Sequence, residues 1–373
     1  MSKHVIISNV HIFDGISLHA EQQTVALENG VITSIEPASD ATANAETGDI
    51  INGMGQTLMP GLIDCHVHLP AFPKDHQGNV GRLQSLARAG VTTALDMGWM
   101  TPAEVTELRE SAQQPLTDIR FVGLFATASG SRHSSFHVPR STGFLVDSEA
   151  DAVRFVKDRI EEGVDYVKIV ADVPGPTQAV INKLVLEARK ADKLTIAHAA
   201  RLAAYNMARE GGVDILTHAP LDTAVSEADA IKIKTEGLVV VPTLIMDQTL
   251  ASGNAIPGLS YAAAKESVSR MHRAGVTILT GTDANGSRVA PVQHGPAMWK
   301  ECELLVDAGL STQEVLQAAT SLAAGHFRLH DRGVVRVGKR ADLILVQGNP
   351  LDDIQALKAL RAVWIIGEAV NLA

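Results

Sequence analysis

A rhythm that begins at residue 59 constrains this chain more than any other feature. A short apolar run leads into a loop and then into a stretch of helical period, and the unit recurs to residue 332. Strand candidates lie at 62–66, 91–97, 119–127, 166–171, 194–198, 215–217, 239–244 and 277–281. Helix-like segments occupy 80–89, 102–113, 148–162, 178–191, 200–210, 226–235 and 259–274 between them. Several of these end on Ala-Gly, Glu-Gly or Gly-Gly followed at once by β-branched residues, which reads as a helix stop and a strand start. Eight strands alternating with helices predict an α/β fold, a (β/α)8 TIM barrel spanning residues 59–332. A doubly wound open sheet shares the alternation, but no Gly-X-Gly-X-X-Gly follows an early strand.

The flanks have a different grain. Residues 4–10, 24–29 and 30–36 read as short strands, with Glu28-Asn29-Gly30 as a hairpin turn and a loop over 37–48. Segments 295–308 and 312–324 read as helices that close the barrel, after which short strands return. Residues 1–58 and 333–373 are therefore expected to form one small composite β-sandwich domain built from both termini.

Composition narrows the function classes. With 42 acidic against 32 basic residues the formal charge is −10, and no basic footprint for a phosphate backbone is found, so nucleic acid is not the expected partner. No run of 18 apolar residues is present, so no membrane span is expected. The first residues alternate like a strand and do not resemble a secretory leader. Two cysteines, Cys65 and Cys302, give no disulfide framework, and the expected compartment is a reducing, cytoplasmic one. Cys65 reads as a packing residue, since strand alternation turns it away from the histidines beside it.

In a barrel the C-terminal ends of all eight strands open on one mouth, so polar residues there are the functional candidates. His66 and His68 end the first strand and, two residues apart, point the same way. Lys168 lies within the fourth strand, His198 ends the fifth, His218 the sixth, and Asp283 the eighth. Imidazole and carboxylate at this density suit Zn2+ or a similar divalent ion. Lys168 sits among Val167, Ile169 and Val170, where an ammonium is costly and tends to lose its proton. Three readings of it stand open at this point: a carbamate formed with carbon dioxide, a buried ion pair, or a charge that orients substrate. Asp283 is expected to hold one metal, to accept a proton from the attacking water and to return it to the leaving group.

These motifs resemble the amidohydrolase superfamily, in the subgroup of imidazolonepropionase-like and Xaa-Pro dipeptidase-like enzymes. The resemblance rests on Pro60-Gly-Leu-Ile-Asp-Cys-His-Val-His68, Gly90-Val-Thr-Thr-Ala-Leu-Asp96, Gly281-Thr-Asp283, and the tail Gly338-Lys-Arg-Ala-Asp-Leu-Ile-Leu-Val346 with Gly348-Asn-Pro-Leu351. It implies two divalent metals, with His66, His68 and Asp283 at the more buried one and His198 and His218 at the more exposed one. It also implies that Lys168 is carboxylated and bridges the two, and that the protein forms a homo-oligomer. The implied activity is hydrolysis of an amide or peptide C–N bond, in a dipeptide or an N-acyl amino acid. A lactonase or ester hydrolase on the same site is the alternative. A deaminase is disfavoured because His198-Ala-Ala-Arg-Leu-Ala-Ala lacks the glutamate expected near the fifth strand. In dipeptidase-like relatives a histidine of the third-strand loop contacts the scissile carbonyl, a role for His137 ahead of His133. Arg132 or Arg140 is a candidate partner for a substrate carboxylate, and His294 a candidate rim contact. Ala171-Asp-Val-Pro-Gly-Pro176 replaces the relatives' Gly-rich segment, which argues against a narrow Xaa-Pro specificity.

Overall fold

The computed structural model describes residues 4–38, 49–70, 75–110, 114–135, 143–253, 256–287 and 290–373. The N-terminal strands are β1 (His4–Ile12), β2 (Gln23–Glu28), β3 (Val31–Pro37), β4 (Asp49–Asn52) and β5 (Gln56–Pro60). Eight barrel strands follow: β6 (Leu62–Val67), β7 (Val91–Asp96), β8 (Asp118–Phe121), β9 (Val167–Val170), β10 (Thr195–His198), β11 (Ile215–Thr217), β12 (Val239–Val241) and β13 (Thr277–Ile278). The last strands are β14 (Leu343–Gln347), β15 (Leu360–Ile365) and β16 (Glu368–Ala369).

Strands from both ends of the chain form one mixed sheet in the order β16-β15-β14-β5-β1-β2-β3, with β4 beside β1. It encloses a core of its own that includes Ile7, Ile12, Val25, Leu27, Leu58, Leu345 and Trp364. β5 runs antiparallel to β14, pairing Met59 with Ile344 and Pro60 with Leu343. Only Gly61 separates β5 from β6, and a Cβ at Gly61 would lie 2.2 Å from the Thr92 side chain. The first barrel strand is thus anchored directly to the terminal sheet.

Parallel pairing carries β6-β7-β8 and β9-β10-β11-β12-β13, and backbone bonds close the two arcs into a ring. Ala126 N–H donates to Lys168 O and Val170 N–H to Ala126 O, each at 2.8 Å, while Asp283 N–H reaches His66 O at 2.7 Å and His68 N–H reaches Ala284 O at 2.8 Å. The helices are α1 (His76–Arg88), α2 (Pro102–Glu110), α3 (Glu149–Glu161), α4 (Gln178–Lys190), α5 (Leu202–Glu210), α6 (Glu227–Thr235), α7 (Leu244–Ser252), α8 (Tyr261–Arg273), α9 (Pro296–Asp307), α10 (Thr312–Ala318) and α11 (Ser321–His326). Those between strands end as their sequences predict: Gly163 follows α3 at φ +72°, and Gly275 follows α8 at φ +78°.

Three elements depart from the sequence expectation. The third strand, expected over 119–127, ends at Phe121, because Gly123 adopts φ +68° and its carbonyl turns to Trp99 N–H. The seventh, expected over 239–244, gives way at Leu244 to helix α7 (Leu244–Ser252), whose first N–H groups are received by the buried Glu301 carboxylate. The helix expected over 312–324 is split into α10 (Thr312–Ala318) and α11 (Ser321–His326). At the break the carbonyls of Ala318 and Ala319 accept from Thr280 N–H and Ile63 N–H, so the helix end is bonded to the barrel strands. Among the described residues no helix is long and apolar enough to cross a membrane.

Candidate active site

The mouth of the barrel holds a cavity of about 490 Å3 into which several strand ends project. Asp64, two residues before His66, organises its deepest part. Its carboxylate accepts from His66 N–H at 3.2 Å, Thr282 N–H at 3.0 Å and the Thr282 hydroxyl at 2.6 Å. The Gly-Thr-Asp motif divides the work at this junction. Gly281 admits close approach, since a Cβ there would lie 2.4 Å from Val241 Cγ1 and 3.1 Å from His66 N. Thr282 bonds Asp64, and Asp283 turns inward in the left-handed region at φ +55°. His218 and Thr243 occupy the same unusual region at φ +72° and +52°. Backbone strain of this kind gathers at sites where geometry is functional.

His66, His68 and Asp283 converge. The two Nε2 atoms are 3.3 Å apart, and Asp283 Oδ1 lies 3.5 Å from one and 3.2 Å from the other. Burial, then the nearby Lys168 charge, holds His66 well below the ordinary imidazole range. Lone pairs packed this closely repel unless a proton or a cation lies among them, and a neutral pair of imidazoles with a carboxylate is a divalent-metal donor set. The residues present fit the ion.

His198 and His218 lie beside this group, their ring centroids 4.5 Å apart, with His218 5.0 Å from His66. Burial dominates in holding both well below the usual imidazole range. His218 Nδ1 is bonded to the Thr243 hydroxyl at 2.7 Å, which leaves Nε2 for the cavity. Lys168 is buried, with Nζ 2.9 Å from Thr217 Oγ1, and burial draws its ammonium down to about 7 against the opposing pull of Asp283. An appreciable neutral fraction at neutral pH is what carbamate formation requires.

A second set of potential ligand atoms comes from His133, Asp172 and His198. His133 Nδ1–H donates to Asp172 Oδ2 at 2.7 Å, the Ser131 hydroxyl donates to the same oxygen at 2.9 Å, and the His133 ring stands 4.4 Å from that of His198. Burial opposes ionisation of Asp172, but the His133 bond and the neighbouring His198 hold it below the usual carboxylate range. With two such triads in one cavity, the chain carries a binuclear metal-dependent active site.

All six ligand candidates read from the sequence meet at this mouth. Asp172 was visible only as an acidic loop residue, and Asp64 was not singled out: a carboxylate inside an apolar run gives no local sign of what it will bond. His137 and Arg140 lie outside the described residues. His294 is buried behind the first strand, donating from Nε2 to His68 O at 3.1 Å, and is not among the residues lining the cavity. One wall is apolar, with Trp99 and Phe125 edge to face at 4.6 Å and Leu221, Met246, Leu250 and Leu259 beyond them. Arg132 and Arg201 stand at the rim.

Residues 57–370 match the model of the Amidohydrolase family. Among curated proteins the chain is similar to an adenine deaminase of Lysinibacillus sphaericus, 22% identical over 372 residues, covering 98% of this chain but 57% of the deaminase. It is also similar to ochratoxinase of Aspergillus niger, 24% identical over 367 residues, covering 82% of this chain and 74% of that protein. Among solved structures, a Xaa-Pro dipeptidase with methionine bound in its active site superposes with a TM-score of 0.84 at 21% identity, covering 98% of this chain and 99% of the other. That likeness extends to the fold.

Proposed function

We propose, on the premise that this chain belongs to the amidohydrolase family, that it hydrolyses an amide or peptide C–N bond in a dipeptide or N-acyl amino acid. The observation that carries this reading is the convergence of His66, His68 and Asp283 within 3.5 Å of one another beside an apolar-walled cavity. His66, His68 and Asp283 would hold one divalent cation, with Zn2+ best suited to the donors. His198, His218 and Lys168, the last as a carbamate, would hold the other, with His133 and Asp172 paired to each other beside His198. When bound, such ions make water acidic enough to attack at neutral pH and polarise the carbonyl under attack.

The chain's own groups supply the proton transfers. Asp283 takes a proton from the attacking water and delivers it to the departing nitrogen, acting first as base and then as acid. Thr282 and Asp64 fix the strand end from which it works. His133, held on Asp172 through Nδ1, stands beside His198 in the cavity lining, where its ring would meet the substrate carbonyl.

The test uses a panel of N-acyl amino acids, dipeptides and lactones with the metal-loaded enzyme. Amide turnover should vanish with a chelator and return with divalent metal. Asp283→Asn should lose at least about a hundredfold in kcat, general acid–base catalysis typically contributing that much or more, while its circular dichroism stays that of the parent. Rapid lactone opening with no amide turnover, or full activity in Asp283→Asn, would overturn the reading.

A further inference from the structure

Asp172 stands in the segment Ala171–Pro176, by which this chain departs from the pattern of the family it resembles, on the loop between β9 and α4. The loop folds back on it, since a Cβ at Gly175 would lie 2.9 Å from Asp172 Cβ. Its carboxylate is held through one oxygen. Oδ2 accepts from His133 Nδ1–H at 2.7 Å and from the Ser131 hydroxyl at 2.9 Å. That hydroxyl in turn accepts from Thr127 Oγ1 at 2.9 Å and from His133 N–H at 3.0 Å. Two bonds to Oδ2 fix the carboxylate, and Oδ1 has no partner among the described residues. The side chain lines the cavity and keeps 21% of its surface exposed, so the bare oxygen is open to a ligand there.

The rest of the lining indicates which donor suits it. Asp283, the other carboxylate of the described lining, faces the two first-strand histidines and is assigned to a cation and to proton transfer. Arg132 and Arg201 share the lining but are exposed, where water and salt screen charge, and neither bonds Asp172. On the apolar side, the Phe125 ring lies 6.0 Å from that of His133 and 4.6 Å from that of Trp99. A fixed anionic oxygen beside an aromatic wall is a donor set for an organic cation with an apolar substituent. Asp172 is also bonded to the ring that would meet the scissile carbonyl. In a peptide with a free amino terminus, one carbon atom separates the ammonium from that carbonyl.

We infer that Asp172 determines specificity at the amino terminus of the substrate: Oδ1 receives an α-ammonium, and the first side chain lies on Phe125 and Trp99. This rests on the amidase reading and selects within it, favouring a free dipeptide over an N-acyl amino acid. An unpaired ammonium is costly to bury. Paired with an oxygen already fixed in place, it gains a charge-assisted bond with little further ordering of the protein. The nitrogen of an N-acyl group is neutral and gains no such bond.

The experiment compares phenylalanyl-leucine with 3-phenylpropanoyl-leucine, the same skeleton without its amine, on the metal-loaded enzyme at pH 7, where the α-amine is largely protonated. The dipeptide should exceed the amine-free compound by about tenfold or more in kcat/KM, the worth of one charge-assisted hydrogen bond. Asp172→Asn leaves an amide oxygen for His133 and Ser131 and puts an NH2, which cannot accept, at the open position. Its preference should fall to about one, whatever loss of rate the two compounds share. Asp172→Ala, which also frees His133, should slow both compounds and abolish the preference as well. Equal use of the two compounds by the parent overturns the inference and leaves the amidase reading standing. So does a preference that survives in both variants, which would confine Asp172 to positioning His133, or a loss of bound metal in Asp172→Asn, which would make it a ligand. If neither compound is cleaved, the amidase reading falls and calorimetric titration with the same two compounds decides the subsite. Tighter binding of the dipeptide that disappears in Asp172→Asn supports it; equal binding, or binding of neither, overturns it.

Discussion

Lys168 concentrates the chemistry of this site in one side chain. Surrounded by Val167, Ile169 and Val170 and bonded through Nζ to Thr217, it titrates at about 7 because burial disfavours its charge. A neutral amine there can add carbon dioxide, forming an N–C bond and releasing one proton, and the single negative charge of the product, shared by two oxygens, would suit a place between two cations. Enzyme loaded with metal under isotopically labelled carbon dioxide should retain the label in its carbamate, and Lys168→Ala should retain none and bind about one metal per chain instead of two. A Lys168→Ala protein with undiminished metal content would refute the bridge. The residue's placement was legible, since a lysine inside an apolar strand stands out in any sequence. Asp64 was not: it lies in an equally apolar run, and its value depends on Thr282, more than two hundred positions away. The left-handed backbone at His218, Thr243 and Asp283 was equally hidden, because it answers to the packing of neighbouring strands rather than to local propensity.

Strands and helices were legible where periodicity and punctuation agreed, and misread where a distant partner intervened. Helix α7 is the clearest case: Leu244-Ile-Met continues the apolar run of β12, and what turns it into a helix is the carboxylate of Glu301, accepting from Leu244 and Ile245 at 2.9 and 2.7 Å. Burial pushes that carboxyl from 4.5 up to about 8. A raised carboxyl binds its proton more tightly in the folded than in the unfolded chain, so its contribution to stability falls as pH rises from about 4.5 to 8. Glu301→Gln should therefore show a flatter fall of melting temperature over that range than the parent, whatever its absolute stability. An identical slope in both proteins would contradict the assignment. The Gly281 contact belongs to the same scale. Gly281→Ala forces a methyl against Val241 and the first metal-ligand strand, and overpacking of this kind typically costs about 1–3 kcal/mol. Chemical denaturation should report that loss, and parental stability in the variant would mean that the strands separate freely.

At the scale of the whole molecule, the barrel and the terminal sheet form a frame that brings distant residues to one mouth. Asp118 at the start of β8 receives Arg332 at 2.6 Å and Arg340 at 3.3 Å, while Arg340 also holds Asp342 at 2.8 Å, so the C-terminal segment is tied to the base of the barrel. The site is assembled from β6, β9, β10, β11 and the segment after β13, and a cation bound across them links strands far apart in sequence. Removing metal should accordingly lower the melting temperature. A cation held at a hundred times its Kd contributes about 2.7 kcal/mol through linkage, and an unchanged melt after verified chelation would separate metal binding from the frame. The central claim is that one mouth holds two cations side by side. Anomalous diffraction from crystals of the zinc-loaded protein tests it most directly. The predicted result is two peaks, one bonded to His66, His68 and Asp283 and the other to His198 and His218, with Lys168 between them. A single peak, or a second one away from His198, would contradict the account.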